Sequence, residues 1–176
     1  MFVALCWSAT SHADAPARTA QPLVQVGYYE FPPYSYSDSQ GRPSGAILHL
    51  TQRLLELAEQ QLGPPPVPYC FLALGSMARD EQLIVTDQDN ALVLHNEYDP
   101  ELHQDYFAAL AQFVCDGLAA CGYSYCSGDI MATNSQWRQP LRVWQQYFTD
   151  WIEQPDAQRL LNSGIFFDLE GVWGQL

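Results

Sequence analysis

Residues 67–74 (VPYCFLAL) constrain this chain more than any other stretch, because they are apolar at successive positions rather than at alternate ones. A strand with one wet face alternates; one that does not is covered on both faces. Helix is closed to the segment, since Pro64-Pro65-Pro66 precedes it and Pro68 lies inside it. The fold must therefore supply apolar layers on both sides of a buried strand. With 176 residues and 48% hydrophobic content, the chain has material for one such core and too little for two full-sized domains.

The covering layers are legible as helices. Residues 47–62 carry Ile47, Leu50, Leu54, Leu57, Ala58 and Leu62 at helical spacing, and Gly63 stands where a helix C-terminus favours glycine. Asp99 and Pro100 read as an N-cap and first helical residue, opening a face of Leu102, Tyr106, Leu110, Phe113, Val114 and Leu118 that ends near Gly122. Residues 141–152 form a third helix, with Leu141, Trp144, Phe148, Trp151 and Ile152 on one side and Pro155 beyond its end. Residues 89–95 (DNALVLH) read as a second strand, 164–169 (GIFFDL) as a third, and 123–139 as a loop. Three strands interleaved with helices predict an α+β or α/β sandwich. Upstream, residues 21–45 are rich in Pro, Tyr and Ser, and only 23–28 alternate like a short strand.

Seven Arg, no Lys and twenty acidic residues leave a formal charge of −13. A nonspecific grip on nucleic acid or anionic lipid needs a positive field, so nucleic acid is set aside as a partner. No membrane span is predicted: the apolar start, residues 1–7, is far shorter than the roughly 20 residues a bilayer requires. Residues 1–15 end in small residues that suit an A-x-A-like cleavage site, but the first basic residue is Arg18, so the segment reads as a clipped secretory signal. Five cysteines with no C-x-x-C pair predict neither a disulfide framework nor a zinc knuckle. Cys115, Cys121 and Cys126 lie close enough in sequence to gather a soft metal, yet no His neighbours them at ligand spacing, so buried or partly buried thiols are the expectation. His95 and His103 read as surface or capping residues.

Chemistry concentrates in residues 75–94 (GSMARDEQLIVTDQDNALVL), where a Gly-Ser turn follows the buried strand and Asp87-x-Asp89 opens the next. On a strand, residues i and i+2 share a face, so both carboxylates project together and offer a cradle for Mg²⁺, whose remaining ligands would be phosphate oxygens. Gly75 lets a phosphate approach the turn closely, and Ser76 adds a donor. Arg79 is placed to neutralise triphosphate charge. Asp168, flanked by apolar residues in the predicted late strand, is costly to ionise unless paired or metal-bound, which makes it the natural third carboxylate. It would then orient or deprotonate an attacking hydroxyl. Twelve Asp in 176 residues supply about 0.8 D-x-D tripeptides by chance, so the pair alone decides nothing. The alternative leaves Ser76 capping a helix, both aspartates solvated, Arg79 paired with Asp80 or Glu81, and Asp168 at a strand end.

Residues 47–174 resemble the nucleotidyltransferase domain related to the N-terminal part of protein-PII uridylyltransferase, a domain found beside CBS domains in bacterial signalling proteins. The match is carried by RLLELAEQQLGPPPVPYCFLALGSMARDEQ, TDQDNALVL, YFAALAQFVCDGLAACGY, MATNSQWRQPL and IFFDLEGVWG. This resemblance implies a polymerase-beta-like nucleotidyltransferase fold, a small mixed sheet flanked by helices. It implies Gly75 and Ser76 as the nucleotide-binding turn and Asp87, Asp89 and Asp168 as the metal triad; Arg138, in the MATNSQWRQPL loop, would contact pyrophosphate or pack at a helix start. The implied reaction is Mg²⁺-dependent transfer of NMP from ATP or UTP to a hydroxyl, with a regulatory protein as acceptor, in the cytoplasm. Residues 1–45 differ: VQVGYYEFPPYSYSDSQGRPSG resembles the opening of a family 3 extracellular solute-binding protein, with Tyr28, Tyr29, Phe31, Tyr34 and Tyr36 as its aromatics. The expected division is an arm over 1–45 and a nucleotidyltransferase domain over 46–176. A catalytically silent nucleotide-sensing or interaction module, and a periplasmic solute-binding fragment, are the alternatives.

Overall fold

The computed structural model describes residues 36–37, 39–40, 43–78 and 87–176. A short ribbon of β1 (Tyr36–Ser37) and β2 (Pro43–Ser44), paired antiparallel, leads into helix α1 (Ala46–Leu62). Gly63 closes α1 by donating its N–H to the Glu59 carbonyl (2.9 Å), and the proline run delivers the chain into β3 (Tyr69–Leu74) and the single-turn helix α2 (Gly75–Ala78). Then come β4 (Asp87–Gln88), β5 (Asn90–Leu94), α3 (Pro100–Ala120) and β6 (Ser124–Tyr125). A 3-10 turn at Ser135–Trp137, β7 (Arg138–Pro140), α4 (Leu141–Glu153), α5 (Ala157–Phe166) and β8 (Leu169–Gly174) complete the order.

The main sheet runs β7-β5-β3-β8, with β3 antiparallel to both neighbours and β5 parallel to β7. Its two central strands are buried on both faces, as the unbroken apolar run requires. Phe71 and Ala73 of β3 join Leu92 and Leu94 of β5 in a cluster with Leu55 and Ala58 of α1 and Phe107, Leu110 and Val114 of α3. Leu72 and Leu74, with Ala91 and Val93, point the other way, onto Trp137, the α4 residues Trp144 and Trp151, and Phe166 of α5. Trp144 adds a hydrogen bond from Nε1 to the Leu92 carbonyl (3.0 Å), tying α4 to the sheet. The result is a small mixed sheet flanked by helices, an α+β sandwich compatible with the polymerase-beta-like fold.

The predicted strand over 164–169 is corrected. Residues up to Phe166 are helical, and the strand begins at Leu169. The helix is set locally, because the Asp156 carboxylate accepts from the Arg159 N–H (2.8 Å) as its N-cap. Ile-Phe-Phe mimics a strand, but helical geometry turns Phe166 into the core and leaves Phe167 exposed. The true strand, LEGVWG, is an edge strand interrupted by two glycines and an irregularity opposite Phe71 and Leu72, so it carries little strand signal. Two further readings change: Ile152 is 67% exposed on the outer side of α4, and the presumed loop over 123–139 supplies β6 and the edge strand β7. The signal-like residues 1–15, the short strand over 23–28 and Tyr28, Tyr29, Phe31 and Tyr34 lie outside the described residues, whereas Tyr36 falls in β1.

Two glycines should respond to alanine with opposite signs. Gly174 has φ +82°, and a Cβ there would run into the Tyr69 carbonyl oxygen, whereas a Cβ on Gly164, inside α5, meets nothing within 4 Å. Gly174→Ala should cost about 2 kcal/mol and Gly164→Ala should add about 0.5–1 kcal/mol, read from urea denaturation midpoints.

Candidate active site

The stretch Asp87-Gln88-Asp89-Asn90 is oriented by its even-numbered members. Gln88 and Asn90 are fully buried. Gln88 Nε2 donates to the main-chain oxygens of Cys115 (3.0 Å) and Tyr123 (3.1 Å). Asn90 Nδ2 donates to Gln88 Oε1 (3.2 Å), while Asn90 Oδ1 accepts from the Ala132 N–H (2.8 Å) and the Cys115 thiol (3.5 Å). Two buried amides so engaged cannot turn outward without orphaning their partners. Successive side chains alternate in extended chain, so Asp87, exposed, and Asp89, half-buried, emerge together on the opposite side.

A second constraint brings a thiol to them. Strand β4 pairs in parallel with β6, Asp87 opposite Ser124 and Gln88 opposite Tyr125. One step further along both chains stand Asp89 and Cys126, which brings the thiol beside the Asp89 carboxylate. One ligand atom each from Asp87, Asp89 and Cys126 lies within 4.8 Å of the other two.

The Gly75-Ser76 turn abuts the same spot. At the end of β3 the Leu74 N–H donates to the Asp89 carbonyl (2.9 Å) and the Gly75 N–H to the Asp168 carbonyl (2.9 Å). A Cβ on Gly75 would lie 3.5 Å from Asp89 Oδ2, an ordinary contact, so it is the φ of +53° that asks for glycine. Ser76 follows, half-buried on α2.

The remaining predicted residues are placed differently. Asp168 stands in the turn between α5 and β8, joined to Gly75 through its main-chain oxygen, and its carboxylate is not a member of the Asp87, Asp89 and Cys126 cluster. Arg138 is buried, and its Nη1 donates to the Ala132 (2.5 Å) and Thr133 (3.1 Å) carbonyls, so it braces its own loop. That loop is further held by Trp137 Nε1 and Asn134 Nδ2, both donating to the Asp129 carbonyl (3.1 and 3.2 Å). Arg79 lies outside the described residues. Cys115, Cys121 and Cys126 do not converge: Cys115 bonds to Asn90 in the core and Cys121 is exposed. His103 Nδ1 accepts from the Asp99 N–H (3.0 Å) and His95 Nδ1 from the Glu97 N–H (3.3 Å), as turn and cap residues.

Burial pushes the Asp89 carboxyl above its ordinary range; the hydrogen bond from Cys126 opposes this and the negative charge of Asp87 adds to it. Burial likewise raises the Cys126 thiol. Both shifts describe a pocket that resists accumulating negative charge, which a bound cation would relieve. The donor set fits a divalent ion: two carboxylates from positions i and i+2, beside a turn that can face phosphate.

The family described as "Putative nucleotidyltransferase DUF294" matches residues 42–158, spanning β3, the Gly75-Ser76 turn, both aspartates and Cys126. The chain belongs to this family, whose general activity is nucleotidyl transfer with a nucleoside triphosphate as the substrate class. No curated protein matches the chain. Among the described residues, no helix is long and apolar enough to cross a membrane.

Sequence reasoning missed Gln88 and Asn90, and weighed Cys126 only with the other cysteines rather than with the aspartates. The first two had a signal, because if Asp87 and Asp89 share one face then Gln88 and Asn90 share the one that enters the buried strand. Two substitutions test this arrangement. Asn90→Ala strands the Ala132 N–H and Gln88 Oε1 in the core and should cost about 2–4 kcal/mol in chemical denaturation. Asp89 has a folded pKa above its unfolded one, so its contribution to stability is full below the ordinary carboxylate range and is lost as pH rises through the folded value. Asp89→Asn should therefore raise the metal-free Tm at neutral pH by about 3 °C, a gain that fades on acidification, as measured by thermal melts across pH.

Proposed function

We propose that this chain transfers a nucleoside monophosphate from ATP or UTP to a hydroxyl acceptor in a divalent-cation-dependent reaction, with Asp87 and Asp89 as cation ligands. The reading is supported most directly by the nearness of the Asp89 carboxylate to the Gly75-Ser76 turn in a chain of nucleotidyltransferase lineage. A site with two carboxylates repels a triphosphate unless a cation lies between them, and Arg138 is buried with its Nη1 donating to main-chain carbonyls. When bound, the cation, Mg²⁺ being the one the resemblance implies, neutralises phosphate charge and aligns the triphosphate for in-line displacement.

The chain's own residues then bind, orient and move a proton. Because the Gly75 N–H is taken by Asp168, phosphate binding falls to the Ser76 hydroxyl and the N–H groups that follow it, with Arg79 adding positive charge. Asp87, the exposed carboxylate, meets the incoming nucleotide, and half-buried Asp89 anchors the site. Asp168, one hydrogen bond from Gly75, accepts the acceptor's proton at its carboxylate as the acceptor oxygen bonds to the α-phosphorus. The bond from that phosphorus to the β-phosphate bridging oxygen breaks, and pyrophosphate leaves. A tyrosyl hydroxyl of a regulatory protein, modified in the cytoplasm as in protein-PII uridylylation, is the acceptor class in this reading, and the role is in signalling.

The test is binding and transfer of ATP and UTP labelled at the α-phosphate, with Mg²⁺. Replacing both residues, Asp87→Asn with Asp89→Asn, should weaken nucleotide binding at least about tenfold without lowering Tm. Unchanged binding overturns the reading. Nucleotide held but never passed to a candidate regulatory protein or to the chain itself points to a sensing module, and amino-acid binding to a solute-binding fragment.

A further inference from the structure

We infer that Cys126 is the third protein ligand of the cation site and the residue that sets which cation it prefers, favouring thiophilic ions such as Co²⁺ and Zn²⁺ over Mg²⁺. The inference rests on the reading of Asp87 and Asp89 as cation ligands. It starts from register: the parallel ribbon of β4 and β6 carries Cys126 alongside Asp89, and sulfur and carboxylate lie side by side in one cluster. Ligands around one ion, each about 2.0–2.3 Å from it, sit roughly 3–4 Å apart. The three donor atoms here are within 4.8 Å of one another, so small side-chain rotations close the set.

The environment of the sulfur distinguishes it from the chain's other thiols. Cys115 is sealed in the core against Asn90, Cys121 is exposed and apart from the carboxylates, and Cys70 lines the opposite part of the sheet near β8. Cys126 is half-buried, reachable by a solvated ion, and its loop is braced by the Asp129, Asn134, Trp137 and Arg138 hydrogen bonds. On binding, the S–H bond breaks, a sulfur–cation bond forms and the proton leaves to solvent. Mg²⁺ gains little from that exchange, since it demands an octahedron of hard oxygens; Co²⁺ and Zn²⁺ gain a strong bond. A carboxylate pair alone would not discriminate in this way.

The experiment titrates the reduced, metal-free chain with Co²⁺ and Mg²⁺, following calorimetry and the thiolate-to-Co²⁺ charge-transfer absorption. Wild type should show the thiolate band and bind Co²⁺ about 100-fold or more tightly than Mg²⁺. Cys126→Ser should lose the band and about tenfold or more of its Co²⁺ affinity while Mg²⁺ affinity moves less than about threefold; Cys121→Ser should keep both. Should Cys126→Ser melt early, Cys126→Asp retains a ligand of similar length and should lower the Co²⁺ to Mg²⁺ affinity ratio about tenfold. A Co²⁺ complex without the thiolate band, an unaltered ratio in Cys126→Asp, or a band that survives Asp87→Asn with Asp89→Asn overturns the inference. The reading of Asp87 and Asp89 is judged separately, by Mg²⁺-dependent nucleotide binding, and stands or falls on that result.

Discussion

The pair of buried amides, Gln88 and Asn90, is the constraint on which the rest of the site depends. They interleave with the two aspartates, and their hydrogen bonds reach the main chain of α3 at Cys115, Tyr123 before β6, and Ala132 in the long loop. One short segment is thereby fixed to three other parts of the chain. Water offers a solvated amide partners everywhere, but in the core each lost bond costs its full desolvation. The aspartates are held outward by what would be forfeited if they turned in.

The same stretch makes two opposed demands on the fold. The inner amides stabilise it, while the outer carboxylates gather negative charge in a half-buried place, on a chain whose net charge is already −13. Burial raises the Asp89 carboxyl and the Cys126 thiol alike, so full ionisation of this pocket is costly. Such a local cost to stability is the usual companion of a functional site. It also links the two functional readings, since a cation that relieves the repulsion also makes room for a triphosphate.

How far each feature could be read in advance depended on whether local physics decided it. The unbroken apolar run at β3, the proline stop before it, and the Asp99-Pro100 start of α3 are local, and all three appear as expected: the Asp99 carboxylate accepts from the Glu101 N–H (2.9 Å) at the head of that helix. The end of the chain was misread because Ile165, Phe166 and Phe167 are apolar in a row, a pattern that suits a strand as well as the last turn of a helix packed against tryptophans. The Asp156 cap decided for the helix and displaced Asp168 from a strand into a turn. Likewise Arg138 reads in sequence as either a pyrophosphate contact or a packing residue, and in the fold it is buried with its Nη1 donating to two carbonyls of its own loop.

The sequence by itself determined that a doubly covered strand exists, which helices cover it, that a Gly-Ser turn follows it, and that Asp87 and Asp89 share a face. Each of these follows from spacing along a single segment, where side-chain direction is dictated by backbone period. Only the tertiary structure decided that Cys126 stands with those aspartates, because that meeting depends on the parallel pairing of two-residue strands from distant parts of the chain. So short a pairing has no pattern of its own; the Gln88 side chain, bonded to the main chain of Cys115 and Tyr123, holds β4 beside β6.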